Sequence, residues 1–424
     1  MTVVSVPATG PGAVANASGT SVLRIALLGC GNVGSAFAAL ASRTSISPKV
    51  RIGHVLVRDL LRSRPALPPG VTLTSDSKEV LDGDPSVVVE LLGGLEPART
   101  ILIDALERGI PVVTANKSLL AAHGPELRAA ASRNGTPLLF EAAVVAGVPF
   151  LGTIARRAHA SDISGFSGIA NGTSNYVLTR ARDQRCSILS ALAEAQSLGL
   201  AEPDPSQDID GIDSAEKLVV LLQMFGRLDV NAGQIETEGI AQITAEDIDH
   251  ARALGGTIKP VILSAWSNGL TAFSGPAFVP GSHVLASVDG SENAVLLAGR
   301  HGRISFRGPG AGPDVTAATV LDDVYEATRA PAPSEFAPLD PARPHSPETS
   351  WFVRFSSDRL PALVDIADLL ASHGVYLRRT RAPTIGLSLS VLTLPCTRAR
   401  LEYALDACRA AAPCEASFIR ALED

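Results

Sequence analysis

The stretch VLRIALLGCGNVG, residues Val22 to Gly34, decides how the chain folds. Seven apolar-rich residues of strand length meet a glycine turn and pass directly into the helical stretch Ser35–Arg43. Strand, turn and helix in that order open a βαβ unit. Within G-x-G-x-x-G, the first glycine permits the tight turn, the second lets a phosphate approach the backbone, and the third lets helix pack on strand. The helix N-terminus then faces the anion. Gly29, Gly31, Asn32, Val33 and Gly34 are therefore candidate dinucleotide-binding residues.

Outward from this turn the alternation continues. Val50–Val57, Ser86–Leu92, Ile110–Thr114 and Pro137–Phe140 read as strands, with helices at Ile101–Glu107 and Gly124–Arg133. That rhythm predicts a doubly wound, Rossmann-type parallel α/β sheet over residues 21–150. A return segment is expected at 305–329. Longer helices at Ser187–Leu198, Ser214–Phe225 and Ala245–Leu254 mark a second, α+β domain over 151–304. Residues 330–349 are proline-rich without apolar periodicity and read as a linker. Beyond it, Trp351–Phe355, Leu360–Ser372, Gly386–Leu394 and Thr397–Ala411 give strand, helix, strand, helix in a small third domain, 350–424. The first 20 residues read as a floppy tail and make a poor signal peptide.

Composition narrows the function. With 424 residues, 46% hydrophobic and 19% charged, the chain is globular and multidomain. A net charge of −7 leaves no basic field for nucleic acid or an anionic membrane. Five cysteines without a CxxC pair and eight histidines without HExxH suggest neither a disulfide framework nor a zinc site. No run reaches the roughly 18 apolar residues of a membrane span, so a cytoplasmic protein acting on a small molecule is expected. Lysine is scarce: only Lys49, Lys78, Lys117, Lys217 and Lys259 among 36 basic residues.

Five places carry candidate chemistry. Where an enzyme that uses NAD commonly has an acidic residue at the end of strand two, this chain has Arg58, with Arg62 and Arg64 behind it, which points to the 2′-phosphate of NADP(H). In the acidic stretch from Glu202 to Lys217, Asp213 and Lys217 stand at i and i+4 on one helix face, with an apolar run following. A buried lysine can give and take a proton where arginine cannot, which makes Lys217 a candidate acid. Lys117 follows strand four, outside the carboxyl end of a parallel strand, where such sheets bind ligands. Gly168–Asn175, with Thr173, and a second glycine loop, Arg307–Pro313, complete the set.

With these motifs assembled, the chain resembles the homoserine dehydrogenases from end to end. GCGNVG, VVELLGGLEPAR, TANKSLLAAHG, FEAAVVAGVP, GIANGTSNY, LGLAEPDPSQDIDGIDSAEKL and GPGAGPDVTA stand in the family's order and at similar spacing. The resemblance implies reversible, NAD(P)-dependent reduction of L-aspartate 4-semialdehyde to L-homoserine, on the route to threonine and methionine. It implies Lys217 as proton donor beside Asp213, Lys117 between nicotinamide and substrate, and Glu202, Asp208, Asp213 and Thr173 around the substrate. Gly312 would return to the cofactor. A monovalent cation, usually sodium, would be held by Glu141 and by backbone carbonyls of Val144, Ala146 and Val148. A homodimer or homotetramer is implied, and the C-terminal segment is similar to an ACT regulatory domain with an amino-acid effector. There the usual D-x-P-G turn reads Asp358-Arg-Leu-Pro-Ala362 and the Arg378–Arg381 region departs, which leaves open whether threonine or another effector acts there. Two other readings stay open: a related dehydrogenase acting on another small amino-acid aldehyde or on aspartate, and a catalytically silent cofactor sensor.

Overall fold

The computed structural model describes residues 22–156, 162–300, 302–330, 336–358, 362–378, 384–411 and 414–423. The expected tail at 1–20, most of the turn after Asp358 and the arginines at 379 and 381 lie outside the described residues. The described residues form two compact units: those up to Thr153 with those from Ala311 to Leu339, and those from Ile154 to Gly310 with those from Asp340 onward. No helix among the described residues is long and apolar enough to cross a membrane.

In the first unit six strands run parallel: β1 (Val22–Leu28), β2 (Lys49–Leu56), β3 (Thr72–Thr74), β4 (Val87–Glu90), β5 (Val112–Thr114) and β6 (Leu138–Leu139). Their order is β3-β2-β1-β4-β5-β6, so the side on which successive strands are added reverses between β1 and β4 while all stay parallel. Right-handed crossovers then place the helix Asn32–Arg43 on one face and the helices Ala98–Glu107 and Lys117–Arg133 on the other. Because both faces are covered, β4 and β5 are buried along their whole length and read as continuous apolar runs. Phe37, Ala38 and Ala41 of the first helix share a core with Val320, Leu321 and Val324 of the helix Pro313–Ala327. Ligands bind such sheets outside the carboxyl ends of the strands, at the reversal.

One helix starts earlier than expected. It begins at Lys117, not Gly124, because the Asn116 side chain accepts the Leu119 N–H at 3.1 Å and caps it there. The Gly124-Pro125 pair, which reads as a start, lies inside the helix.

The second unit is built on one long sheet. In spatial order it runs Gly302–Pro309, Glu292–Gly299, Ile163–Ile169, Gly256–Ala265, Thr271–Pro280, Glu415–Ala421, Ser350–Ser356, Ser388–Leu392 and Thr384–Ile385. Neighbours are antiparallel except Thr271–Pro280 with Glu415–Ala421. The strand Gly302–Pro309 thus stays with the second unit, and the chain changes unit at Gly310–Ala311 rather than at 305.

The C-terminal module differs from its sequence reading in two ways. It contains a further strand, Glu415–Ala421, giving a β-α-β-β-α-β order whose sheet runs fourth, first, third, second, the ferredoxin-like arrangement. That strand also pairs with Thr271–Pro280, so the module continues the neighbouring sheet and does not stand apart. Residues 340–349 are tied down as well: Asp340–Pro341 pair with Leu228–Asp229, and Pro344 bridges to Leu270. The stretch expected to be a linker is in this part a strap.

Candidate active site

In the second unit the chemistry gathers at the head of the helix Gly172–Gln184. Asn171 caps it, its Oδ1 accepting the Ser174 N–H at 2.7 Å. The other end of the same amide donates to Asp208 Oδ1 at 2.6 Å and to Asp213 Oδ2 at 2.8 Å. Asp213 and Lys217 lie on the helix Ile212–Leu221, buried on nearly every residue, which ends in a π-helical turn Leu222–Gly226. Lys217 Nζ donates to Asp213 Oδ2 and to the carbonyl of Ala170, both at 2.7 Å. Lys217 is 9% exposed and Asp213 6%. An isolated buried ammonium costs several kcal/mol, and the Asp213 charge together with the Ala170 carbonyl offsets it. An ammonium has three N–H groups, and two are committed here.

Asp208 is half-buried, and its carboxyl is pushed up by burial and by the neighbouring Asp213 charge, against the Asn171 hydrogen bond that holds it down. Thr173 Oγ1 donates to the Leu200 carbonyl at 2.9 Å, tying the helix head to the acidic loop. Four of the expected substrate and catalytic residues, Lys217, Asp213, Asp208 and Thr173, therefore meet around Asn171. Glu202 is exposed on the same loop, and its side chain makes no hydrogen bond among the described residues. Gln196 Nε2 holds that stretch through the carbonyl of Glu202 at 3.1 Å. Asn171 itself was not singled out from sequence; the signal was an N-cap asparagine opening the helix of GIANGTSNY.

In the first unit the glycine loop has the shape its spacing requires. Gly29 sits at φ +96°, and a Cβ there would lie 2.5 Å from the Leu91 carbonyl oxygen. A Cβ on Gly31 would meet nothing within 4 Å, so open space remains where a diphosphate approaches. The helix behind it has no side-chain cap, which leaves its first amides for an anion. The residues fit a dinucleotide. Arg58 and Arg62 are exposed, while Arg64 braces the loop by donating to the carbonyls of Arg62 and Asp59, each at 2.7 Å.

Glu90 is a further residue missed from sequence. It is fully buried at the end of β4 and accepts hydrogen bonds from Leu92 N at 2.8 Å, Gly93 N at 3.2 Å and Thr114 Oγ1. Burial pushes its carboxyl up against those bonds. It shapes the loops that follow β4 and β5, including Asn116, whose Nδ2 lies 3.4 Å away and next to Lys117. Lys117 opens its helix at the carboxyl end of β5. Gly312, at φ +128°, precedes the helix Pro313–Ala327 as its N-cap.

Glu141 caps a short helix, accepting Leu151 N at 2.7 Å and Gly152 N at 2.8 Å. Its own N–H donates to Asp323 Oδ2 at 3.0 Å. Asp323 is pushed up to about 8 by burial and by the Glu141 charge, so it carries its proton at neutral pH. The Ala146 carbonyl accepts from Thr319 Oγ1. Glu141 and the carbonyls of Val144, Ala146 and Val148 offer oxygen atoms alone, the ligand type of a hard cation, and the Val148 carbonyl already accepts from Phe150 N at 2.9 Å. No cluster of three or more His, Cys, Asp or Glu able to hold a metal occurs among the described residues.

Comparison with known proteins gives the family. Residues 29–141 match the family model described as homoserine dehydrogenase, NAD binding domain, and residues 149–325 match that of homoserine dehydrogenase. The chain is 37% identical over 403 residues to the homoserine dehydrogenase of Corynebacterium glutamicum, covering 90% of this chain and 89% of that one. It is 35% identical to the Mycobacterium tuberculosis homoserine dehydrogenase, covering 90% and 93%. The crystal structure of a homoserine dehydrogenase from Thiobacillus denitrificans superposes with a TM-score of 0.86 at 32% identity, covering 95% of this chain and 98% of that one. A hyperthermophilic archaeal homoserine dehydrogenase in complex with NADPH superposes with a TM-score of 0.61 at 26% identity, covering 73% and 98%. The chain belongs to the homoserine dehydrogenase family of oxidoreductases.

Proposed function

We propose that this protein interconverts L-homoserine and L-aspartate 4-semialdehyde with NADP(H), using Lys217 as general acid and base. The observation that carries the reading is the buried Lys217–Asp213 pair at 2.7 Å, beside the Ala170 carbonyl. A bound nicotinamide supplies or accepts the hydride. In the reductive direction negative charge grows on the aldehyde oxygen, and the remaining N–H of Lys217 stabilises and protonates it. In the oxidative direction Lys217 takes the hydroxyl proton. Asp213 orients the Lys217 amine, and Asn171 keeps Asp213 and Asp208 from drifting apart. The substrate's α-ammonium goes to Glu202, Asp208 and Asp213, and its carboxylate to Thr173 and the first amides of the helix Gly172–Gln184.

Gly29, Gly31, Asn32, Val33 and Gly34 cradle the diphosphate, with Lys117 and Gly312 at its nicotinamide side. Glu141 with the carbonyls of Val144, Ala146 and Val148 holds a sodium ion. The active species is a homodimer or homotetramer, and the C-terminal module serves as an ACT-like effector domain. Arg58 and Arg62 are exposed and make no ion pair among the described residues, and they take the 2′-phosphate. Homoserine oxidation should then show a higher kcat/KM with NADP⁺ than with NAD⁺. Arg58→Ala should lower the NADP⁺ value by about tenfold, the typical worth of a charged hydrogen bond, and leave the NAD⁺ value near its original level. A clear NAD⁺ preference in the unmodified protein would remove the arginines from this role.

A further inference from the structure

We propose that Arg398, acting through Glu238, is a positioning residue that holds the acidic turn Asp208–Asp213 ready for substrate. The inference rests on that turn being the substrate site.

The turn has carboxylates at Asp208, Asp210 and Asp213 that repel one another, so something outside it must fix its path. The segment Glu236–Ile240 lies directly behind it. Ile240 N donates to the Ile209 carbonyl at 2.9 Å, and Glu238 N donates to the Ser274 carbonyl at 2.8 Å. Ser274 Oγ in turn donates to the Gly211 carbonyl at 3.0 Å. Gly211, at φ +80°, is the N-cap of the helix that carries Asp213 and Lys217. A Cβ there would stand 3.0 Å from the Glu238 carbonyl oxygen. Backbone of the segment and backbone of the turn are in contact along their length.

The segment is in turn held by the C-terminal module. Arg398, the first residue of the helix Arg398–Ala411, donates through Nη1 to Glu236 Oε1 at 2.9 Å and to Glu238 Oε1. Arg420, on the last strand, grips Glu236 Oε2 and lies between rings, 4.6 Å from the Phe273 centroid and 5.3 Å from that of Trp351. Glu236–Thr237 pairs with Phe273–Ser274, and Arg420 pairs opposite Ala277, so both attachments follow the strand Thr271–Pro280. Two arginines of the module thus clamp two glutamates of the segment on which the acidic turn rests. Without Arg398 the Glu238 carboxylate loses its counter-charge and adds to the repulsion in the turn.

Arg398 suits a test because its side chain is 41% exposed and Arg420 keeps its own bond to Glu236, so the fold does not depend on it. Arg398→Met should raise the homoserine KM by about threefold to tenfold, with kcat and the NADP⁺ KM unchanged. Arg398→Lys should recover part of the loss, since an ammonium keeps a positive charge beside Glu236 and Glu238, both served here by Nη1, but cannot also hold Glu402 as Nε does. An unchanged homoserine KM in Arg398→Met overturns the proposal. So does a variant in which homoserine KM, kcat and thermal midpoint all worsen together and lysine restores nothing, because that is a plain packing defect. Glu202→Ala, measured alongside, separates the two levels: a raised homoserine KM there with no effect at Arg398 defeats the positioning role alone. No effect of Glu202→Ala defeats the substrate assignment and the positioning role with it.

Discussion

Lys217→Ala is expected to lower kcat for homoserine oxidation by about 10² or more while NADP⁺ still binds with its original affinity. In the proposed mechanism the ammonium carries the proton, and its two hydrogen-bond partners, Asp213 and the Ala170 carbonyl, act only as acceptors for it. Removing one partner of a buried pair costs about 3–5 kcal/mol, so part of any lost activity can come from unfolding. The thermal midpoint distinguishes the two: a loss of chemistry alone leaves it near its original value, while unfolding around the broken pair lowers it. Lys217→Arg should fail as well, since a guanidinium retains its proton at any working pH. Turnover near the original level in either variant takes Lys217 out of the mechanism.

The second large effect is expected in the glycine loop, where two neighbouring glycines should behave oppositely. Gly29→Ala places a Cβ 2.5 Å from the Leu91 oxygen and 2.8 Å from its carbonyl carbon, in a residue at φ +96°. Backbone cannot swing aside as a side chain can. Left-handed strain alone costs about 1–3 kcal/mol, and at roughly 2–4 °C per kcal/mol the thermal midpoint should fall by about 5 °C or more. Gly31→Ala meets nothing within 4 Å, so stability should hold while the NADP⁺ KM rises by about tenfold or more, the new methyl occupying the ligand's space. Equal midpoints for Gly29→Ala and the unmodified chain would contradict the packing seen here. Unchanged NADP⁺ kinetics in Gly31→Ala would contradict the placement of the diphosphate.

Much of this was legible because its signals are local. The strand Val22–Leu28, the glycines after it and the helix they open lie within a few residues of one another. The same holds for Asp213 and Lys217, whose i,i+4 spacing and following apolar run announced a buried pair. What escaped was set by contacts distant in sequence. Glu415–Ala421 has glutamate and arginine in it and alternates only at its start, yet it is a strand because Ser350–Ser356 and Thr271–Pro280 supply partners on both sides. For the same reason the C-terminal module read as a separate body. Asn171 looked like an ordinary cap, and its second role appears only when the acidic turn folds back onto it. Glu90, alone at the end of a valine run, gave a signal that composition could not interpret until Thr114 and Asn116 came beside it.

The most direct test of the whole account is product analysis with the purified, unmodified protein. Incubated with L-homoserine and NADP⁺, it should form NADPH and L-aspartate 4-semialdehyde in equal amounts, and the reverse mixture should return homoserine. L-aspartate in place of homoserine should give no NADPH. Turnover of aspartate without turnover of homoserine, or no turnover of either by folded protein that binds NADP⁺, would contradict it.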